Sequence, residues 1–174
     1  GAASGSSTMF LPIGSKVTVE NLIKGIIIQS GNDACIVAAE NIAGSEEDFA
    51  ELMNAKAKEL GLKNSHFVNS TGLPHPDHRM SAEDLARLAQ ALIRDFPEYY
   101  SVFSQKSFTY NNILQGNRNP LLYSMPDADG LKTGHTAEAG FCLTASVKRG
   151  DRRLIGVMTG LKSNKERSEE AEKL

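Results

Sequence analysis

The tetrapeptide Lys132-Thr133-Gly134-His135 precedes an alternating apolar run that is typical of a buried strand. A cation, a hydroxyl and a glycine on one strand can bind an anion, because a glycine lets another molecule approach the backbone closely. A specified tripeptide such as Lys-Thr-Gly occurs by chance in only about one chain in thirty of this length. The alternative interpretation is a turn before a hairpin, with Lys132 as a solvated charge.

Ser30 and Asn32 form the second candidate group, in the segment "QSGNDA" between two helical patterns. A hydroxyl and an amide two positions apart in a tight glycine turn can both point into one cleft. The alternative is helix capping, because Ser, Asn and Asp are favoured at helix N-termini. A Ser-x-Asn arises by chance in roughly a third of chains this long, so the pair alone indicates little.

The histidines of "HFVNSTGLPHPDH" raise the question of a metal site, since His66, His75 and His78 accompany Asp77. His75 and His78 lie three apart on a proline-broken loop, with no helix to orient them as ligands. We therefore expect surface-loop histidines and no bound metal. No other feature of the sequence calls for a cofactor.

Asp127 and Asp129 are spaced like paired carboxylates, but we expect them to cap a turn. Asp151-Arg152-Arg153 is expected to be a solvated charge cluster at the tip of a hairpin.

Cys35 and Cys142 both lie in apolar segments. Two cysteines could pair in a disulfide, but buried free thiols are common, so we expect two free, buried cysteines.

Composition excludes several classes of protein. The 174 residues suffice for one domain with a core, and a net charge of -2 with a pI near 6.1 indicates neither a nucleic-acid partner nor an anionic membrane surface. No apolar run approaches the roughly 18 residues of a membrane span. The start, "GAASGSSTMF", lacks the basic and apolar regions of a signal peptide.

Four segments have helical periodicity, and three of them carry capping signals. Thr18 is the expected N-cap of the first, Ser45 with Asp48 at capping-box spacing opens the third, and Pro97 stops the fourth. The second is nearly apolar on all sides and is predicted to be a buried core helix ending at Gly44. The segments are "TVENLIKGIIIQ", "ACIVAAENIAG", "SEEDFAELMNAKAKELG" and "SAEDLARLAQALIRDF".

Strands are predicted in the second half of the chain. "KSFTY" is a candidate short strand, a strand carrying Lys132 precedes the next, and "GFCLTASVKRGDRRLIGVMTGL" predicts a hairpin around "KRGDRR". "SNKERSEEAEKL" begins a polar helix. Helices followed by strands indicate a mixed α and β class.

Ser30-Gly31-Asn32 followed by Lys132-Thr133-Gly134 matches two of the three motifs of penicillin-binding proteins and their β-lactamase relatives, namely Ser-x-x-Lys, Ser-x-Asn and Lys-Thr-Gly. Longer stretches strongly resemble the low-molecular-mass D-alanyl-D-alanine carboxypeptidases, and together they cover nearly the whole chain. These stretches are "LIKGIIIQSGNDACIVAAENIAGSEEDFAELMNAKAKELGLKNSHFVNSTGL", "RMSAEDLARLAQALIRDFPEYY", "NRNPLL" and "DGLKTGHTAEAGFCLTAS".

The Ser-x-x-Lys motif is missing, since no serine has a lysine three residues later, and the nearest pattern is Thr159 with Lys162. In the family this motif lies upstream, so the resemblance implies a fragment without its nucleophile, its general base and the N-terminal strands. The implied fold is α+β, a helical cluster on an antiparallel sheet, as in the penicillin-binding and β-lactamase-like transpeptidases. We expect one partial domain over 1–174, with a loop at 1–14, a mainly helical part at 15–104, a strand-rich part at 105–162 and the start of a C-terminal helix at 163–174.

The resemblance assigns catalytic roles to three residues. Ser30 relays a proton to the leaving D-alanine, Asn32 holds the substrate amide and helps orient the absent lysine, and Lys132 supplies positive potential and hydrogen-bonds Ser30.

The resemblance also assigns substrate-binding roles. Thr133 binds the terminal carboxylate with Arg118 as cationic helper, and the N–H of His135 is one oxyanion donor. Gly134 keeps this anion-binding wall free of a side chain.

The implied function is trimming of peptidoglycan stem peptides that end in D-Ala-D-Ala, through an acyl-enzyme that β-lactams also form. The alternatives are a non-catalytic module that binds such peptides and a β-lactamase, which is disfavoured because no "ExxxN"-like loop carries a deacylating glutamate. The implied location is the periplasm or cell envelope, at the outer face of the cytoplasmic membrane. No nucleic-acid partner is expected.

Loss of the N-terminal strands would leave a strand edge and the Ala-rich helix at 34–43 uncovered. Both features favour association, so the sequence predicts that the chain does not persist as a monomer: it pairs with a copy of itself, exchanges elements with a copy, or requires the missing N-terminal segment.

Overall fold

The computed structural model describes residues 7–174, and helices in it flank a three-stranded antiparallel sheet. The long helices come first and the sheet follows, so the predicted α+β class is confirmed. The helices are α1 (Val19–Ile27), α2 (Asn32–Ala43), α3 (Glu46–Glu59), α4 (Ala82–Asp95), a 3-10 helix (Tyr100–Ser104), α5 (Leu121–Ser124) and α6 (Asn164–Ala171).

Within residues 7–174, five strands form two sheets. A short hairpin pairs β1 (Ser107–Tyr110) with β2 (Ile113–Gly116), and the larger sheet has the order β3-β4-β5, with β3 (Ala128–Thr136), β4 (Gly140–Arg149) and β5 (Arg152–Leu161). The predicted hairpin around "KRGDRR" is the β4–β5 pair. The predictions missed β2 and α5, although Asn111 and Asn112, both at positive φ, make the two-residue turn that joins β1 to β2.

The sheet is covered on both faces. Ile155 of β5 packs with the cluster formed by α4 and the 3-10 helix, whereas the next residue, Gly156, lies against Leu174 just beyond α6. Because successive strand residues point to opposite faces, α4 and α6 lie on opposite sides of the sheet. The sheet is therefore the middle layer, and its buried centre includes Leu143 and Ala145.

Local capping follows the sequence. Thr18, Ser45, Ser81 and Ser163 accept backbone N–H hydrogen bonds three residues on, at the starts of α1, α3, α4 and α6. The predicted caps at Thr18 and Ser45 are confirmed. Each such cap contributes about 1 kcal/mol to helix stability.

The prediction of a fully buried second helix is wrong. Of α2, only Ala34 and Ala39 are buried, and Ile42 is 66% exposed. Composition indicated an apolar helix, but burial depends on what packs around it, and α1 and α3 are its main neighbours. The predicted self-association of the chain stays a prediction.

Two charged residues differ from their predicted roles. Arg153 was expected to be solvated, yet its side chain is 22% exposed and donates to Asp129 and to the Ser146 hydroxyl. Asp129 lies within β3 and also accepts from the Tyr100 hydroxyl, so it does not cap a turn. These contacts link β3, β5 and the 3-10 helix. Pairing of the two charges offsets the cost of removing them partly from water.

None of the helices within residues 7–174 combines the length and the apolar character needed to cross a bilayer.

Candidate active site

Ser30 lies in a tight turn between α1 and α2, and its backbone is left-handed, with φ 55°. This conformation costs on the order of 1 kcal/mol for a non-glycine residue, and such strain is concentrated at functional sites. The Gly31 N–H donates to the Gly25 carbonyl at 3.0 Å. A Cβ on Gly31 would lie 3.1 Å from the Cβ of Met9, so a side chain there would require the neighbouring atoms to shift by a few tenths of an ångström.

Lys132 of β3 reaches this turn across the fold. Its Nζ donates to Ser30 Oγ at 2.8 Å and to the Thr133 carbonyl at 3.1 Å, although Lys132 and Ser30 are 102 residues apart in the chain. The pairing that the Lys-Thr-Gly and Ser-x-Asn motifs imply is thus present in the structure. A hydroxyl and an amine at this distance can pass a proton between them.

Burial lowers the pKa of Lys132 to about 8. Burial is the main cause of this lower pKa; Cys35 acts against it, and the charges of Arg118 and Arg167 contribute smaller decreases. An ammonium with this pKa carries its proton at neutral pH and releases it more readily than an exposed lysine does.

Asn32 is the first residue of α2, and its N–H donates to the Ser7 carbonyl at 3.0 Å. Its side chain is half-buried and makes no hydrogen bond within residues 7–174.

The end of β3 is open. A Cβ on Gly134 would meet no atom of the described residues within 4 Å, and His135 is exposed with its ring stacked on Phe141 at 4.0 Å. The Thr133 carbonyl faces Lys132 Nζ and not β4, so the backbone of Thr133 points toward the free side of the strand. Residues two apart in a strand point the same way, so the N–H of His135 faces this free side as well.

Arg118 is exposed and lies close enough to Lys132 to lower its pKa. Its guanidinium is held by two acceptors, the Gly116 carbonyl at 2.8 Å from Nη1 and Gln115 Oε1 at 2.9 Å from Nη2. The structure therefore brings Arg118 near the residues that the resemblance grouped with it.

Asp33 fastens the segment around Met9 to the Ser30 turn. Its carboxylate accepts the N–H groups of Met9 at 2.8 Å, Leu11 at 2.9 Å and Ala34 at 3.0 Å. Burial raises the pKa of Asp33, but the hydrogen bonds from Leu11 and Met9 outweigh it and hold the pKa below its usual value. In the sequence Asp33 was considered only as a capping residue, since nothing local indicates a partner 24 residues upstream.

Arg167 of α6 is a second residue that the sequence did not reveal. It is buried, and its Nη1 lies 3.4 Å from the carbonyls of Gly134 and Cys142, while its guanidinium lies 5.4 Å from the Phe141 ring centre. Burial lowers the pKa of Arg167. A lone arginine in a polar helical pattern is usually solvated, so the pattern holds no signal for this contact.

The loop histidines are engaged within their own loop. His66 Nδ1 lies 2.8 Å from the Asp77 carbonyl, and His75 Nδ1 accepts the Asp77 N–H. His78 accepts the Val68 N–H, and burial lowers its pKa.

Cys35 and Cys142 are both free thiols, as predicted, but each is half-buried rather than buried. Burial raises the pKa of Cys35 to about 11.

Comparison with known proteins gives consistent results. The family model described as D-alanyl-D-alanine carboxypeptidase matches residues 1–163. The D-alanyl-D-alanine carboxypeptidase DacC of Escherichia coli is 52% identical over 99% of this chain and 44% of its own length. This chain thus spans less than half the length of that relative.

Solved structures agree in fold. Penicillin binding protein 5 from Haemophilus influenzae superposes with a TM-score of 0.95 at 43% identity, over 98% of this chain and 50% of the other. Penicillin binding protein 6B from Escherichia coli gives 0.93 at 50% identity, over 98% and 54%. The predicted transpeptidase fold is therefore confirmed, and the chain belongs to the D-alanyl-D-alanine carboxypeptidase family.

Proposed function

We propose that these residues form the proton-relay and carboxylate-binding side of a serine D-Ala-D-Ala carboxypeptidase site. The observation that carries the proposal is the 2.8 Å hydrogen bond from Lys132 to Ser30. No serine of this chain has a lysine three residues later. The nucleophile and general base of a Ser-x-x-Lys motif therefore come from outside these 174 residues, and they complete the site next to Ser30.

Ser30 and Lys132 deliver a proton to the leaving group. The nucleophilic serine gives its proton to the general base and attacks the carbonyl carbon between the two D-alanines, and the C–N bond of the resulting tetrahedral intermediate breaks to leave an acyl-enzyme that water then hydrolyses. Ser30 Oγ gives its proton to the departing nitrogen and takes one from the ammonium of Lys132. A pKa of about 8 suits Lys132 to this transfer, because general acids work best when their pKa lies near the working pH.

The terminal carboxylate of the substrate binds between Thr133, Lys132 and Arg118. A carboxylate placed here meets one hydroxyl and two cations, and Arg118 still has three N–H groups beyond the two bonded within the protein. Because this site binds a carboxylate, the enzyme would require a substrate with a free C-terminus.

The oxyanion of the tetrahedral intermediate binds the N–H of His135, with the N–H of the incoming nucleophile as second donor. The free direction of the His135 backbone supports this role, and Gly134 leaves space for the substrate beside it. The amide of Asn32 holds a substrate amide on the other side of the cleft.

The substrate is a peptidoglycan stem peptide that ends in D-Ala-D-Ala, and β-lactams acylate the same serine in the complete protein. Both act at the outer face of the cytoplasmic membrane, in the periplasm or cell envelope. The names of the similar proteins, carboxypeptidases and penicillin-binding proteins, support the assigned substrate and the reaction with β-lactams.

The test uses the full-length protein and an N-acylated peptide ending in D-Ala-D-Ala. We expect release of D-alanine, loss of release in Ser30→Ala, and a covalent band with a fluorescent penicillin. Hydrolysis of the penicillin without peptide cleavage would indicate a β-lactamase, and peptide binding without either reaction would indicate a binding module. The 174-residue chain alone should give no covalent band, and a band that maps to Ser30 would overturn the assignment of Ser30 as a relay.

A further inference from the structure

Gln115 of β2 makes two hydrogen bonds that the proposed reaction does not use. Its Nε2 donates to the Thr8 carbonyl at 2.9 Å, and its Oε1 accepts from Arg118 Nη2 at 2.9 Å. The two partners are 110 residues apart, and this half-buried side chain is the direct link between them. We infer that Gln115 is a positioning residue that orients the Arg118 guanidinium toward the substrate carboxylate, an inference that rests on the proposed function.

The anchor at the Thr8 end is rigid. After Thr8 in the chain, the N–H groups of Met9 and Leu11 donate to the Asp33 carboxylate. Before Thr8, the Ser7 carbonyl accepts the N–H of Asn32. A side chain that bonds to Thr8 is therefore tied to the N-terminus of α2, which also carries the Ser30 turn. Through its second hydrogen bond, Gln115 fixes the Arg118 guanidinium relative to this anchored segment.

Arg118 needs such a constraint because it is exposed. A free arginine side chain has about 2 kcal/mol of rotamer entropy to lose when it binds a carboxylate. The acceptors at Gly116 and Gln115 order the guanidinium in advance, and three N–H groups remain for the ligand. Ordering before binding improves affinity without adding a contact to the substrate.

The expected effect of losing this constraint is on substrate binding and not on the chemical step. Gln115→Leu keeps a similar volume but removes both hydrogen bonds. We expect KM for the D-Ala-D-Ala peptide to rise about threefold to tenfold, the cost of ordering one flexible side chain, with kcat changed less than twofold. Gln115→Glu, which places a negative charge on Arg118 to compete with the substrate, should raise KM further.

The experiment measures kcat and KM of the full-length protein on the peptide and on its C-terminal amide. The matched control is Gln105→Leu, since within residues 7–174 the Gln105 side chain bonds only to the nearby Ser107 carbonyl. The inference predicts that Gln115→Leu loses preference for the free carboxylate, that Gln105→Leu does not, and that Gln115→Leu adds nothing to Arg118→Ala. Thermal melts confirm that each variant is folded.

Three results would overturn the inference while leaving the proposed function intact. Gln115→Leu could behave like Gln105→Leu, could slow both peptides equally, or could add its full effect to Arg118→Ala. If the wild-type protein releases no D-alanine, the proposed function and this inference fall together.

Discussion

The two sides of the candidate site are built in opposite ways. The turn around Ser30 is packed, with Gly31 against Met9, the backbone left-handed, and Asp33 fastening the neighbouring segment. The end of β3 at Gly134 has open space where a side chain would stand.

The packed turn fixes the geometry of catalytic groups when the protein folds, whereas the open end of β3 leaves space for a ligand. The relay needs a fixed distance between Ser30 and Lys132, which close packing maintains. The anion-binding wall at the end of β3 needs a backbone that no side chain obstructs. Substitutions in the turn should therefore reduce stability, whereas those at the end of β3 should reduce activity.

The largest expected effect is the loss of Lys132, which joins the two sides. In the full-length protein, Lys132→Ala should lower kcat/KM for the D-Ala-D-Ala peptide by about 100-fold to 1,000-fold, comparable to the loss of one oxyanion donor. Lys162→Ala is the matched control, because Lys162 is exposed and lies after the sheet. Equal, small effects of the two changes in steady-state kinetics would mean that the Lys-Thr-Gly motif is misassigned.

Burial of the charged Lys132 ammonium should lower the free energy of unfolding at neutral pH. Burial lowers its pKa from 10.5 to about 8, so between these values the unfolded chain binds more protons and stability rises with pH. Lys132→Met should raise the free energy of unfolding at pH 7 by about 2 kcal/mol, with the gain shrinking as pH rises from about 8 to 10.5. Denaturant titrations at several pH values measure this, with Lys162→Met as control. A gain that is constant with pH would show that burial of the charge is not its source.

The sequence predicted what is local. The caps at Thr18 and Ser45 were predictable because each bond spans three residues. The Lys132–Ser30 contact spans 102 residues, and only the resemblance to a family suggested it.

What the sequence missed depends on packing between distant elements. Arg167 stands in a polar helical pattern yet is buried against β3 and β4, and Asp33 has the sequence of a cap yet holds a segment upstream. The exposure of α2 likewise depends on its neighbours and not on its own composition. Such contacts have no periodicity to detect.

A pair of glycine substitutions tests the comparison directly. Gly31→Ala should lower the free energy of unfolding by about 2 kcal/mol, because the new methyl group meets Met9 and the Gly25 carbonyl at 3.1 and 3.2 Å. Gly134→Ala should change it by less than about 0.5 kcal/mol, since its methyl group meets no atom within 4 Å. Denaturant unfolding of both variants measures the difference. Similar losses at the two positions would contradict the contrast between a packed turn and an open strand end.

A smaller loss of stability than that of Gly31→Ala is expected at Asp33, whose carboxylate holds the packed side of the site. Burial raises the pKa of Asp33, but the N–H groups of Leu11 and Met9 lower it overall, so the carboxylate adds stability above its unfolded pKa and loses it as pH falls through the lower folded value. Asp33→Asn should cost about 1 kcal/mol at pH 7, because an amide accepts at only one of the two oxygens and turns its NH₂ toward the other N–H. Asp48→Asn is the matched control, since Asp48 is an exposed carboxylate in the first turn of α3 and has the same favourable position relative to the helix dipole. The difference between the two variants in denaturant unfolding should disappear below the folded pKa of Asp33. If it persists there, or if Asp48→Asn costs as much, the carboxylate acts through the helix N-terminus and does not fasten the segment that carries Met9.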